Sequence, residues 1–217
     1  MRRVAESAPG VPYDLPGVWD CRSCHEGSPS RVLGFGALQL SPDRDPLAPH
    51  QQAAEPGAVE LPALAERGLL RGLPPELLAT PPRVAAATPA ARAALGYLHG
   101  NCAGCHNGSG PLADLDFSLE VRVAPAHSIA AAALATASGH AARFQPAGAA
   151  TQARIAPGAP ERSLVALRMA SRDAILQMPP LGTHRIDAEA VALVEDFIRE
   201  LGRPVVEVTA SRPLPMQ

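Results

Sequence analysis

Large aromatic side chains are scarce in this chain. Its 217 residues include one Trp, two Tyr and four Phe, 3% in all. Hydrophobic residues make up 47%, but many are alanine, so few side chains are large enough to build a core. Long apolar runs are missing as well. None reaches the roughly 18 residues needed to cross a bilayer, and no membrane span is expected. Excess charge of either sign is absent, the formal net charge being -2. With no clustered Lys/Arg face and no basic–aromatic interleaving, no nucleic-acid partner is expected.

Proline (24 residues) and glycine (18) are abundant, though below the level that argues for wholesale disorder. Long ordered loops wrapped around a bulky group fit that composition. Arg2 and Arg3 resemble the start of a signal peptide, but Val4-Ala5-Glu6-Ser7-Ala8-Pro9 is not an apolar h-region. The chain is therefore expected to be a mature fragment, a domain cut from a longer precursor, or a reading frame with a displaced start.

All four cysteines fall in two short patterns, Cys21-Arg22-Ser23-Cys24-His25 and Cys102-Ala103-Gly104-Cys105-His106. Both read C-x-x-C-H, the attachment motif of a c-type haem. Two thiols three positions apart can add to the two vinyl groups of one haem. The adjacent histidine can then place an imidazole nitrogen on the iron. C-x-x-C also serves as a redox dithiol or half a zinc site. The histidine directly after it favours haem, and a zinc site would need a second ligand pair. An inter-motif disulfide would leave both spacings unexplained. The expected cofactors are two covalently bound haem c groups, held by Cys21, Cys24, Cys102 and Cys105, with His25 and His106 on iron.

Along the chain, residues 1–18 read as an extended arm without periodicity. Val32–Leu40 is apolar and glycine-punctuated, a buried loop or a short strand. Short helical pieces are expected at Leu61–Leu70 and Pro75–Leu78 in a connection rich in Pro, Ala and Glu. Thr88-Pro89 starts a helix, with Thr as the cap and Pro at the first helical position. Ala91, Leu95 and Leu98 line one face of it, and it delivers the second motif at its end. An alanine-rich helix is expected at Ser128–Ser138, a mobile loop at 139–153, and a short helix at Ser163–Met169. In the last helix Asp187 is the cap, and Val191, Val194, Phe197, Ile198 and Leu201 share one face. Gly202 ends that helix and Pro204 prevents its continuation.

A helix leading into C-x-x-C-H, a wandering loop region, then Met178-Pro179 and a closing amphipathic helix resembles the class I c-type cytochromes over roughly Thr88 to Gly202. In that family a late methionine supplies the sixth iron ligand, which here implies Met178. A residue before proline is pushed toward extended geometry, which presents Met178 from a stiff loop. A thioether paired with His raises the iron's potential. Filling a core gap is the ordinary work of methionine, and Met169, inside a short helix, fits that better.

A wider order also matches: Trp19-x-Cys21, Leu33-Gly34-Phe35, Gln39-Leu40, Tyr97-Leu98-His99-x-Asn101-Cys102, Pro157-Gly158, Ser163-Leu164 and Met178-Pro179-Pro180-Leu181-Gly182. It resembles a group of bacterial haem-binding regions often joined to secreted sugar-dehydrogenase-like or repeat modules. The resemblance implies redox partner proteins, including a dehydrogenase, and a periplasmic or extracellular location.

The expected fold is mainly α: a cytochrome c-like helical haem domain with long loops over 88–208, and an irregular N-terminal haem-binding region and Pro/Ala-rich connection over 1–87. Residues 209–217 are expected to be a disordered tail. The sixth ligand of the first haem is open among His50, His99, His127, His140, His184 and Met169, or the position is vacant. The expected function is electron transfer between a periplasmic or extracellular redox partner and a respiratory acceptor. The alternatives are a di-haem peroxidase-like enzyme and a haem-based sensor, both using an open site on the first haem. For the enzyme, Asp20 and Glu26 are the acidic residues near the first motif, and both read as solvated.

Overall fold

Thr88 and Asp187 set the two longest helices. Thr88 Oγ1 accepts the Ala91 N–H at 3.1 Å, and Asp187 Oδ1 accepts that of Ala190 at 3.1 Å. Each satisfies a donor that a helix start leaves free. In the computed structural model, which describes residues 2–8, 11–28, 30–50, 57–123, 130–148, 150 and 153–203, the chain is mainly helical. In chain order the strands are β1 (Arg2–Ala8) and β2 (Val11–Leu15). The helices are α1 (Val18–His25), α2 (Leu61–Glu66), α3 (Glu76–Ala79), α4 (Pro89–Cys102), α5 (Ala130–Ala137), α6 (Leu164–Met169) and α7 (Ala188–Leu201).

The core forms where α4 meets α7, with α6 alongside. Leu95 and Leu98 from α4 pack with Val194, Phe197 and Ile198 from α7, and all five are almost completely buried. Helical spacing puts these residues on one face of each helix. Small residues bring the backbones close: Ala91, Ala94 and Ala190 are also buried. Thr88 Oγ1 donates to Glu200 Oε2 at 2.5 Å, joining the start of α4 to the end of α7. Met169 is buried in the same cluster. A second, smaller cluster of Leu40, Leu61 and Leu64 lies under the connection. That connection is fastened to α4 by Arg92 Nε on Asp45 Oδ2 at 3.0 Å, and Val84 joins the main core, so packing crosses the 87/88 position.

Several expectations are corrected. The N-terminal arm is an antiparallel strand pair, with register shifts between Arg3 and Ala5 and between Glu6 and Ala8. The first motif does not lie in irregular chain: it forms α1 itself. The segment Val32–Leu40 has no strand, and Val32, Leu33 and Phe35 are exposed while Leu40 is buried. Helix α2 stops at Glu66, four residues before the expected end, because Gly68 adopts φ 65°. The described part of 139–153 is held by backbone pairing, which composition does not reveal. Gly139 N donates to Ile155 O at 2.9 Å and Arg154 N to His140 O at 2.8 Å.

Gly202 does end α7, but by close approach and not by a left-handed cap. Its φ is -85°. A Cβ there would lie 2.4 Å from the Cα of Gly158, itself at φ 81°. Gly158 N donates to Ile198 O at 2.8 Å, so the loop docks on the helix end. His127, Ser128, Pro204 and the expected tail lie outside the described residues.

Candidate functional site

Both motifs sit at helix ends, and the fold brings them together. The first occupies the last turns of α1, and the second begins at the last residue of α4. Cys24 Sγ and Cys105 Sγ are 3.8 Å apart, and Cys105 Sγ is also 3.8 Å from the Ser23 carbonyl oxygen.

Asn107 is the centre of this junction. It is 2% exposed. Its Nδ2 donates to Gly27 O and Ala103 O, both at 2.8 Å, and more distantly to Gly104 O at 3.3 Å. Its Oδ1 accepts from Ser109 N at 2.8 Å and Gly110 N at 3.1 Å. One buried amide thus satisfies polar backbone from both motif loops. Glycine is required on each side. A Cβ on Gly27 would lie 2.6 Å from Ser23 O, and one on Gly110 would lie 2.3 Å from Gly27 O. None of these three residues belongs to a recognisable motif. The only local signal is an Asn directly after the second motif, followed by glycine.

The two motif histidines stand in different settings. His25 is exposed, and its Nδ1 lies 2.6 Å from the Arg31 carbonyl oxygen. A carbonyl only accepts, so Nδ1 carries the proton. In the neutral ring Nε2 then keeps a free lone pair, the arrangement by which second-shell carbonyls orient metal-binding histidines. His106 is partly buried, with its ring 4.8 Å from that of Phe117. Burial, followed by the Arg168 and Arg154 charges, pulls its pKa down to about 4. It is therefore a neutral imidazole, and its buried Nδ1 has no hydrogen-bond partner. A neutral ring is what iron ligation needs.

Two arginines brace the second motif. Arg154 donates to the carbonyls of Asp116 (2.5 Å), Thr136 (2.6 Å) and Leu115 (2.6 Å), and its guanidinium stands 5.2 Å from the Phe117 ring centre. Arg168 donates to Leu176 O at 2.8 Å. Its own carbonyl accepts the Met178 N–H at 3.0 Å. Arg168 thus ties the Met178 loop to α6 while its charge acts on His106. Met178 is partly buried and precedes a cis peptide bond to Pro179.

The second-motif thiols are held protonated. Burial pushes Cys102 up to about 12, its sulfur being turned toward the core. Burial, then Cys24, pushes Cys105 up to about 11.

A cleft of about 580 Å³ opens beside Cys24 and Cys105. Leu33, Phe35, Leu38 and Val121 form its apolar wall, and His99 lines it. The volume lies in the range of ligand and cofactor sites. Helix α1 is the other uncovered surface: it buries no residue, and Val18 and Trp19 are 73% and 75% exposed. Uncovered apolar surface thus lies beside both motifs, while the cleft itself takes one cysteine from each, Cys24 and Cys105, and neither His25 nor His106. Among the described residues, no group of three or more His, Cys, Asp or Glu side chains converges as a protein-only metal site requires.

The remaining sixth-ligand candidates separate. His99 Nδ1 accepts the Val121 N–H at 3.1 Å, so its proton sits on Nε2 and neither nitrogen offers a lone pair. His50 Nε2 is bonded to Asp187 Oδ2 at 2.8 Å. Met169 is core. His140 and His184 are exposed. Of the acidic residues near the first motif, Asp20 Oδ2 accepts the Gly17 N–H at 2.8 Å, and Glu26 pairs with Arg22 at 2.9 Å on the surface.

Comparison with protein-family models, curated proteins and solved structures finds no significant match to this chain.

Proposed function

We propose that this chain is a di-haem c-type electron carrier. The observation that carries this reading is the presentation of both C-x-x-C-H motifs at helix ends, side by side, each with a histidine suited to ligation. His25 has Nδ1 held by a carbonyl, and His106 is a buried neutral ring. A bound haem iron supplies a one-electron couple.

The protein's own residues supply the frame. Cys21 with Cys24, and Cys102 with Cys105, would anchor one macrocycle each through thioether bonds, and His25 and His106 would bind the irons. Met178, on the loop that Arg168 ties to α6, is the candidate further ligand of the second iron, and a thioether paired with imidazole would favour a raised potential. Arg154 and Arg168 place positive charge near His106, which disfavours the oxidised iron and raises the potential further. The cytochrome c-like character of 88–208 belongs to the same proposal, as do a periplasmic or extracellular location and a dehydrogenase as electron donor. No observation favours a peroxidase, because Asp20 and Glu26 are both engaged and neither is placed as an acid–base group.

The test is a haem count on chain expressed with export to the periplasm, by intact mass and pyridine haemochrome. Two haems per chain are expected. One would remove Cys21-Cys24-His25 from the reading, and none would overturn it.

A further inference from the structure

The 3.8 Å approach of Cys24 and Cys105 joins thiols 81 positions apart in sequence. The contact runs between the motifs, not within either one. It is built into the junction: Gly27 and Gly110 allow the backbones to touch, and Asn107 fastens the loops that carry both cysteines. Both residues are partly exposed, so a small dissolved oxidant can reach them. An S–S bond of about 2.05 Å requires the sulfurs to close by under about 2 Å.

We propose that Cys24 and Cys105 form a redox pair that closes as an inter-motif disulfide while the two sulfurs are not otherwise bonded. The oxidant class is a small-molecule or protein disulfide. One cysteine, as thiolate, attacks a sulfur of that disulfide, forming a mixed disulfide and releasing the first oxidant thiol. The other cysteine attacks the mixed disulfide. The Cys24–Cys105 bond forms, and the second oxidant thiol leaves. Two electrons pass to the oxidant, and the two protons lost from the cysteines end on its two thiols. The closed form locks the junction and consumes one sulfur from each motif. If the sulfurs are haem anchors, it also shuts both motifs to haem addition. That consequence rests on the function proposed above, whereas the bond itself does not.

The experiment uses this 217-residue chain produced without haem in a reducing cytoplasm, equilibrated under native conditions with oxidised glutathione. Free thiols are then alkylated and the peptides mapped without reduction. The expected result is one dominant Cys24–Cys105 linkage, with Cys21 and Cys102 alkylated. In 8 M urea (a denaturing condition of the test) this selectivity should disappear. Cys105→Ser should leave Cys24 alkylatable or glutathionylated. Dominant Cys21–Cys24 or Cys102–Cys105 linkages under native conditions would overturn the proposal. So would four alkylatable thiols, stable glutathione adducts without closure, or a linkage pattern unchanged by urea. The haem count is read on separate, exported material, so failure of one reading leaves the other standing.

Discussion

His50 donates from Nε2 to Asp187 Oδ2 over 2.8 Å, joining a loop residue to the cap of the last helix, 137 positions away. The same carboxylate oxygen accepts Tyr97 Oη at 3.1 Å, and Oδ1 holds the Ala190 N–H. One capping residue thus joins the connection, α4 and α7.

The pair makes stability depend on pH in a defined direction. The hydrogen bond and charge of Asp187 raise His50 above its ordinary 6.5. A raised histidine contributes fully below 6.5, and the contribution fades as pH rises through the folded-state value. Burial works against ionisation of Asp187, but the Ala190, His50 and Tyr97 donors outweigh it and hold the carboxyl below its usual 3.8. Its contribution is present above that value and fades as pH falls through the depressed one. Thermal melts from pH 5.5 to 9 should show a decline toward high pH that His50→Asn removes. Asparagine is chosen because position 50 has φ 59°, which it tolerates. Parallel curves for the two proteins would refute the linkage.

Asn107→Ala should destabilise the chain by about 2–4 kcal/mol, because it leaves buried carbonyls and amides from both motif loops without partners. Urea unfolding reads the loss directly. A change below about 1 kcal/mol would mean that water or a local shift replaces the amide.

Two glycine substitutions should act in opposite directions. Gly202→Ala puts a Cβ 2.4 Å from the Cα of Gly158, backbone that cannot move aside alone, and should cost about 1–3 kcal/mol. Gly100→Ala lies in α4 with nothing within 4 Å of the new Cβ, and should stabilise by about 0.5–1 kcal/mol. Denaturation midpoints of the haem-free variants decide both, and equal effects would contradict the packing described.

Met178→Ala in haem-loaded protein should abolish the long-wavelength methionine–iron absorption band and lower the potential of the second site. The haem count should stay the same, since no thioether anchor is touched. An unchanged spectrum would remove Met178 as a ligand.

Much of the helical half was readable from local rules. Thr88-Pro89 and Asp187 announce α4 and α7 because a cap is a contact over three residues. The faces through Leu95 and Leu98, and through Val194, Phe197 and Ile198, follow from period alone. The C-x-x-C-H patterns were legible because two thiols and an imidazole at fixed spacing stand in the sequence itself. Helix α1 was missed because it buries nothing and so leaves no periodic apolar trace. The pairing at Gly139 with Ile155 was missed because backbone hydrogen bonds carry no side-chain code.

The chain's sequence alone therefore determined which residues cap, which faces turn inward, and where thiols and imidazoles stand in attachment spacing. Tertiary structure alone decided that Cys24 meets Cys105, that Asn107 holds the two motif loops, that Gly202 serves close approach to Gly158, and that burial, with the Arg168 and Arg154 charges, keeps His106 neutral. The physical reason is distance along the chain. A cap or a helix face is settled within a few residues, whereas each of these relationships joins segments that only the packed core brings within contact.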